Sequence, residues 1–348
     1  MAYALSTMEG AVDFEVLDRQ DAPGGQWNFN PNPTDKYGEP THSCTYENLW
    51  INGPKEAFEL PIYKFGEDVP SFFPRPGMSK YVLGFMDHFD LRKHIKCGCR
   101  VDNVAFNEEK KLFTVSWKNL ETGADEHKEY NYVIVATGHF HCPRPASFPG
   151  EENYEGKMFH SKYFRNEVQF KDQKILVVGG SYSSEDVALQ CYKFQATKVT
   201  IVNRRKMGFK WPIGVEEKPF TEIKLMGPGK KVTFTDGTED EFDVVVKSTG
   251  YLHTFPFLDE AIRLNTPNVF NPPLYMQIVF PKNPRIFYMG MQDQFYTMSM
   301  FYLQALYIRD VLLGKTKVPE TEEERMKWIE NDAVRGNNLA NPHEMILF

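Results

Sequence analysis

Short, nearly unbroken apolar runs recur along the chain, each closed by a turn signal: Phe14-Glu15-Val16-Leu17-Asp18, Tyr132-Val133-Ile134-Val135-Ala136, Ile175-Leu176-Val177-Val178 and Asp243-Val244-Val245-Val246. Runs of this kind suit strands buried on both faces of a parallel sheet rather than half-exposed antiparallel strands. One stretch predicts a complete strand–helix–strand unit: a strand at Lys174–Val178, a turn from Gly179 to Ser184, a helix at Glu185–Phe194 and a strand at Lys198–Val202. The N-terminus predicts the second half of another such unit, a helix at Ala2–Ala11 and a strand at Phe14–Leu17. Arg100–Phe106 and Leu112–Lys118 flank a polar stretch at 107–111 and predict an antiparallel hairpin. Helices are expected at Ser299–Leu313 and, charge-rich and exposed, at Glu320–Asn331. Residues 22–55 are rich in Pro, Gly and Asn without periodicity. A loop of that length in a compact domain is functional or disordered, and its two Trp residues argue for the former.

The pattern therefore predicts an α/β protein, and composition narrows its class. With 348 residues the chain has room for one large domain or two ordinary ones, and 41% hydrophobic residues suffice for packed cores. A net charge of −7 with scattered Lys and Arg leaves little footprint for nucleic acid, so no nucleic-acid partner is expected. No apolar stretch reaches the length of a membrane span, and no N-terminal secretory signal stands out. Five cysteines, sparse and odd in number, do not make a disulfide scaffold, and no metal-ligand cluster appears. The expected setting is reducing and cytoplasmic.

The sharpest local signal is Gly179-Gly180-Ser181-Tyr182-Ser183-Ser184, placed where a dinucleotide fingerprint belongs, after a strand and opening a helix. Gly179 makes the tight turn. Ser181 and Ser184 are small enough to let the backbone approach a pyrophosphate and the helix pack on the sheet. The helix N-terminus offers free N–H groups and the positive end of its dipole. An ordinary serine-capped strand–turn–helix accounts for the same residues. The next strand ends in Asn203-Arg204-Arg205, and arginine at that place suits a ribose 2′-phosphate, whereas Asp18 at the end of the first strand suits a ribose 2′-hydroxyl. Two further strands end in small-Thr-Gly turns, at Gly138 and Gly250, where the backbone can turn beside a cofactor.

Taken in order, these motifs resemble the flavin-containing monooxygenases, and within them the bacterial-type trimethylamine monooxygenase branch. Gly24-Gly25-Gln26-Trp27 is similar to the family's GGxW turn. Asn48-Leu49-Trp50-Ile51-Asn52-Gly53-Pro54-Lys55 is similar to the segment bearing its active-site asparagine. Tyr154, Gly156, His160 and Phe164 fit its FxGxxxHxxx(F/Y) signature, and Ser248-Thr249-Gly250-Tyr251 with Phe255-Pro256-Phe257 fits its ATGY…FPF segment. Met207-Gly208-Phe209-Lys210-Trp211-Pro212 and Gly290-Met291-Gln292-Asp293-Gln294 resemble the trimethylamine branch. The family begins with a strand and GxGxxG turn for FAD, and Met1 aligns just after it. The resemblance thus implies a chain truncated at both ends that lacks the first strand–helix unit of its FAD domain.

The resemblance implies two Rossmann-like domains, FAD on 1–165 and 255–348, with the NADPH domain 166–254 inserted. It also implies a chemistry in which NADPH reduces FAD, O₂ adds to give a C4a-hydroperoxyflavin, and a tertiary amine or sulfide takes the distal oxygen. Asn52 and Tyr182 are the implied catalytic residues, the first holding peroxide and ribose, the second gating the nicotinamide. Cofactor contacts are implied at Asp18, Gln20, Gly25, Gln26, Trp27, His42, Trp50, Val104, Gly138, Gly179, Ser181, Ser183, Ser184, Arg204, Arg205 and Gln294. A homodimer is compatible with this reading. A Baeyer–Villiger oxygenase is disfavoured by the branch-like segments. A non-catalytic NADP(H)-binding remnant that cannot retain FAD stays open, and one spectrum separates it. Protein that turns yellow with FAD supports the oxygenase, and protein that stays colourless after incubation removes it.

Overall fold

The computed structural model describes residues 1–337 except Glu9, 267–271 and 293–296, and the side chains of 333–337 are not described. Five strands form one all-parallel sheet in the order Val215–Pro219, Lys198–Asn203, Lys174–Val178, Val244–Lys247, Lys157–His160. Side chains alternate between its faces, as the two-residue strand period requires. Ile175, Val177, Val199, Ile201, Val244 and Val246 meet Val187, Ala188 and Cys191 of the helix Tyr182–Lys193. Leu176, Val202 and Val245 meet Ile223, Met226, Val232 and Phe234 of a small antiparallel sheet on the other face. Both faces are buried over the three central strands, which is why these read as nearly unbroken apolar runs, whereas the edge strands Val215–Pro219 and Lys157–His160 are more polar and carry no such signal. The edge strand Lys157–His160 lies ahead of residue 166, so the sheet draws on residues outside the range 166–254.

The remaining residues build a second body. A three-stranded antiparallel sheet, Cys99–Asn107, Leu112–Asn119 and Asp125–Tyr130, packs Val104, Phe113, Val115 and Trp117 against Phe255, Leu258 and Tyr288. Two parallel pairs accompany it, Val16–Leu17 with Ile95–Lys96 and Val133–Val135 with Ile286–Tyr288. The hairpin expected at 100–118 is present. Its third strand, Asp125–Tyr130, was not expected, because its polar and mostly exposed residues carry no apolar alternation. In the helix Thr297–Leu312, Gln304 accepts from Gly290 N–H at 2.8 Å and donates to Gln292, which donates to Gln277. This glutamine chain seats the Gly290-Met291-Gln292 motif.

Two helix boundaries differ from expectation for identifiable reasons. The first helix ends at Ser6, not Ala11. Ser6 and Thr7 hydroxyls turn back onto the carbonyls of Tyr3 and Ala4 and compete with helix propagation. The helix expected from Glu185 starts at Tyr182, because extended Ser181 presents its carbonyl to both Ser184 and Glu185 N–H. Among the described residues no helix is long and apolar enough to cross a membrane.

The Tyr288 hydroxyl offers a way to probe this core. It is buried, donates to the Ile262 carbonyl and accepts from Leu264 N–H at 2.9 Å. Tyr288→Phe strands both main-chain groups, and the expected cost is about 1–3 kcal/mol, read as a lower denaturant midpoint at unchanged slope.

Candidate functional site

The turn after Lys174–Val178 is shaped by Gly179. Its φ is +140°, and a Cβ there would collide with the carbonyl oxygen of Ser248 and press on Ser184 Oγ. Only glycine closes this approach between two strand ends. Ser184 is fully buried, the small-residue packing role expected of it, while Ser181, Tyr182 and Ser183 are exposed. The 12-residue helix that starts here leaves its first peptide N–H groups without intrahelical partners, next to the Gly179 turn. The two arginines part company here. Arg205 folds back over the turn and donates to the Gly180 carbonyl at 2.8 and 3.2 Å. Arg204 points away, paired with Glu222 and largely exposed.

The signature residues have a mechanical explanation. The Tyr154 hydroxyl donates to Phe242 O at 2.6 Å, and its ring lies where a Gly156 side chain would project. His160 Nδ1 accepts from Lys162 N–H at 3.0 Å, and Nε2 lies 2.9 Å from Gly250 O. One acceptor and one donor define a neutral imidazole protonated on Nε2, and burial accordingly lowers its pKa. This ring ties the end of one strand to the Ser248-Thr249-Gly250 turn of another. Fully buried Phe164 packs edge-on against Tyr46.

Downstream of His160 the chain is sewn to the segment that carries Asn52. Arg165 donates to Thr45 O at 2.9 Å, and Glu47 N–H donates back to Arg165 O. Asn48 donates to Glu167 at 2.9 Å, while Gln190 of the Tyr182–Lys193 helix donates to Asn48 O at 3.3 Å. The Asn52 segment is thus held directly onto the helix that Tyr182 opens. Sequence reasoning does not single out Glu167 or Gln190, since no local pattern pairs residues 142 positions apart. Asn52 and Trp50 are exposed next to this anchor.

The other expected cofactor residues cluster on the second body. Asp18 accepts from Gln20 N–H at 2.9 Å, and burial raises its pKa. Gln20 reaches the carbonyl of Gly25, which begins the one-turn helix Gly25–Trp27. Gln26 accepts from Cys44 N–H at 2.8 Å, and its carbonyl accepts from Ser43. Trp27 packs beside Ile51 and Phe73, and Ser79 donates to its carbonyl. His42 stacks on His141 at 5.5 Å, close to Gly138 with its φ of +72°. Val104 is buried and its N–H is already taken by Phe257 O, so it has no free main-chain donor to offer. Gln294 lies outside the described residues.

Comparison with known proteins assigns this architecture. A family model described as flavin-binding monooxygenase-like matches residues 4–214 and 221–340. The chain belongs to this family. It is 40% identical over 350 residues to trimethylamine monooxygenase of Pelagibacter sp. strain HTCC7211, covering 98% of this chain and 77% of that protein. It is 42% identical over 331 residues to trimethylamine monooxygenase of Methylocella silvestris, covering 92% and 73% respectively. The crystal structure of Tmm from Pelagibacter sp. strain HTCC7211 superposes with a TM-score of 0.92 at 37% identity, over 99% of this chain and 79% of that one. S-allyl-L-cysteine S-oxygenase from Allium sativum superposes at 0.84 with 26% identity, over 99% and 81%. As a family member the chain is an oxidoreductase of flavin-binding type, with the mixed α/β fold of two Rossmann-type domains.

Four imidazoles in this region are held neutral. Burial, then the nearby His141, Arg19 and Lys162, push His42 down to about 3. Burial with cationic neighbours pushes His141 and His253 to about 4, and burial lowers His160. Unfolded, each titrates near 6.5. As pH falls from there, the unfolded chain binds protons that the folded chain refuses, so stability is lost on acidification through the window from about 6.5 to 4. His141→Gln removes one refusing group. Denaturant midpoints taken at pH of about 7 and about 5 should differ less in that variant than in the parent.

Proposed function

We propose that this family member uses NADP(H) and FAD to oxygenate a soft nucleophile, a tertiary amine such as trimethylamine to its N-oxide, with small sulfides as secondary substrates. The relatives named trimethylamine monooxygenase support the substrate. The observation that carries the reading is the tether from Gln190 to Asn48, which holds the Asn52 segment on the helix that opens at Tyr182. In this reading NADP(H) lies on residues 166–254 together with the strand Lys157–His160, and FAD on 1–165 and 255–348.

Residues present fit both groups. The start of the helix at exposed Tyr182 and Ser183, with Arg205 laid over the turn before it, suits a pyrophosphate and a 2′-phosphate. Asp18 suits a ribose hydroxyl. His141 Nδ1 and His253 Nδ1, buried and without a hydrogen-bond partner among the described residues, suit a polar ligand against the His42–His141 stack. Bound flavin would supply the oxygen-activating redox chemistry. The chain's own residues bind, orient and shield. Asn52 offers a neutral amide that both donates and accepts, and Tyr182, 63% exposed at the helix start, has room to swing over the nicotinamide side.

Two measurements test this. Arg205→Ala should raise KM for NADPH about tenfold and leave NADH little changed, the size expected for one charge-assisted contact. Arg204→Ala should do much less, because Glu222 already holds that side chain. Equal losses for the two cofactors would defeat the NADP(H) assignment. Asn52→Ala should keep NADPH consumption but lower N-oxide formation on the order of 100- to 1000-fold, as expected for removing one oriented donor. N-oxide formed at the parent rate would reduce Asn52 to a loop residue.

A further inference from the structure

Between Lys198–Asn203 and Val215–Pro219 the chain runs through residues 204–214 without helix or strand. This is the segment that carries Met207-Gly208-Phe209-Lys210-Trp211-Pro212. Two of its large apolar side chains face solvent among exposed Arg and Lys residues: Ile213 is 97% exposed and Phe209 46%. Nothing in its own secondary structure gives it shape, yet Arg205 within it is laid over the Gly179–Gly180 turn. Met207 and Trp211 pack against the core of the sheet, and one side chain on the strand the loop leads into ties its main chain down.

Glu217, partly buried on Val215–Pro219, collects donors from both ends of the loop. Its Oε1 accepts from Met207 N–H at 2.7 Å and from the Asn203 amide at 3.2 Å, and its Oε2 accepts from the Trp211 indole at 2.8 Å. The amide oxygen of Asn203 in turn accepts from Arg205 N–H at 3.2 Å. A continuous set of bonds therefore runs from Trp211 through Glu217 and Asn203 to the main chain of Arg205. The donors around Glu217 leave its charge satisfied where it stands. Burial alone would raise its pKa, but Met207 N–H, the Trp211 indole and the Asn203 amide outweigh burial and keep it below the usual carboxylate range.

We infer that Glu217 is a positioning residue that sets discrimination for a 2′-phosphate, by clasping the 204–214 loop so that Arg205 stands over the phosphate turn. The inference rests on the NADP(H) reading above. It also explains the Gly-Phe-Lys-Trp-Pro segment, in which Trp211 is the far anchor of the clasp, with its indole N–H on Glu217. Glutamine in place of Glu217 cannot accept from all three donors at once, since one face of its amide presents hydrogens. The loop then loses an anchor, and Arg205 loses its fixed starting point.

Binding of NADP⁺ and NAD⁺ to the purified chain, measured by calorimetry, tests this without turnover. The parent should favour NADP⁺. Glu217→Gln should weaken NADP⁺ about tenfold and leave NAD⁺ within about twofold, the size of one charge-assisted contact. Trp211→Phe, which keeps the carboxylate and removes one donor, should shift the preference the same way by less. In an Arg205→Ala background Glu217→Gln should change the preference no further, because the two act in series. A parent with no preference for NADP⁺ sinks the NADP(H) reading and the inference with it. A parent that prefers NADP⁺ beside a Glu217→Gln variant that keeps the preference, or loses both cofactors equally, overturns the inference alone.

Discussion

Strands that run in one direction must all finish on one rim, and that constraint organises this molecule. Val178, Asn203, Lys247 and His160 end four neighbouring parallel strands, so the residues that follow them meet without any loop having to travel. Gly179 touches Ser248, Asn203 sits against Gly180, and His160 reaches Gly250 for that reason. These residues are separated by tens of positions in sequence and are adjacent because the parallel sheet sets the strand order.

The three central strands of the parallel sheet could be read from sequence because they are apolar on both sides, and a run such as Ile175-Leu176-Val177-Val178 leaves little choice, whereas the polar edge strands Val215–Pro219 and Lys157–His160 give no such run. The Gly179 turn was equally legible, since it combines a strand end with residues that tolerate close approach. What stayed hidden was held by polar bonds that no periodicity of the chain announces. Asn48 to Glu167, Arg165 to Thr45 and the three donors on Glu217 follow from the completed fold, not from any local pattern. The family signature could be recognised by spelling alone, but the need for histidine at 160 emerged only with the positions of Lys162 N–H and Gly250 O. Val104 illustrates the converse: the resemblance implies a cofactor contact there, and its N–H is spent inside the fold.

A single ring that must both accept and donate is a stricter device than a salt bridge. Charged groups tolerate many geometries, whereas the neutral imidazole of His160 fits its two partners in one tautomer and one orientation. Lys162, whose pKa burial lowers to about 8, donates to the His141 carbonyl from the same short turn. The junction between the two bodies is thereby built from directional bonds to main-chain atoms.

The outermost strand of the antiparallel sheet, Asp125–Tyr130, bears on how the molecule behaves among its copies. Its inner edge pairs with Leu112–Asn119, so its other edge presents unsatisfied peptide groups to solvent, as any terminal strand does. Asp125, Glu126, Lys128 and Glu129 crowd that edge with charges of both signs, and a second chain pairing there would have to strip water from them. The same polarity that concealed this strand from the apolar pattern makes it a barrier to sheet extension, protecting the apolar hairpin behind it from aggregation.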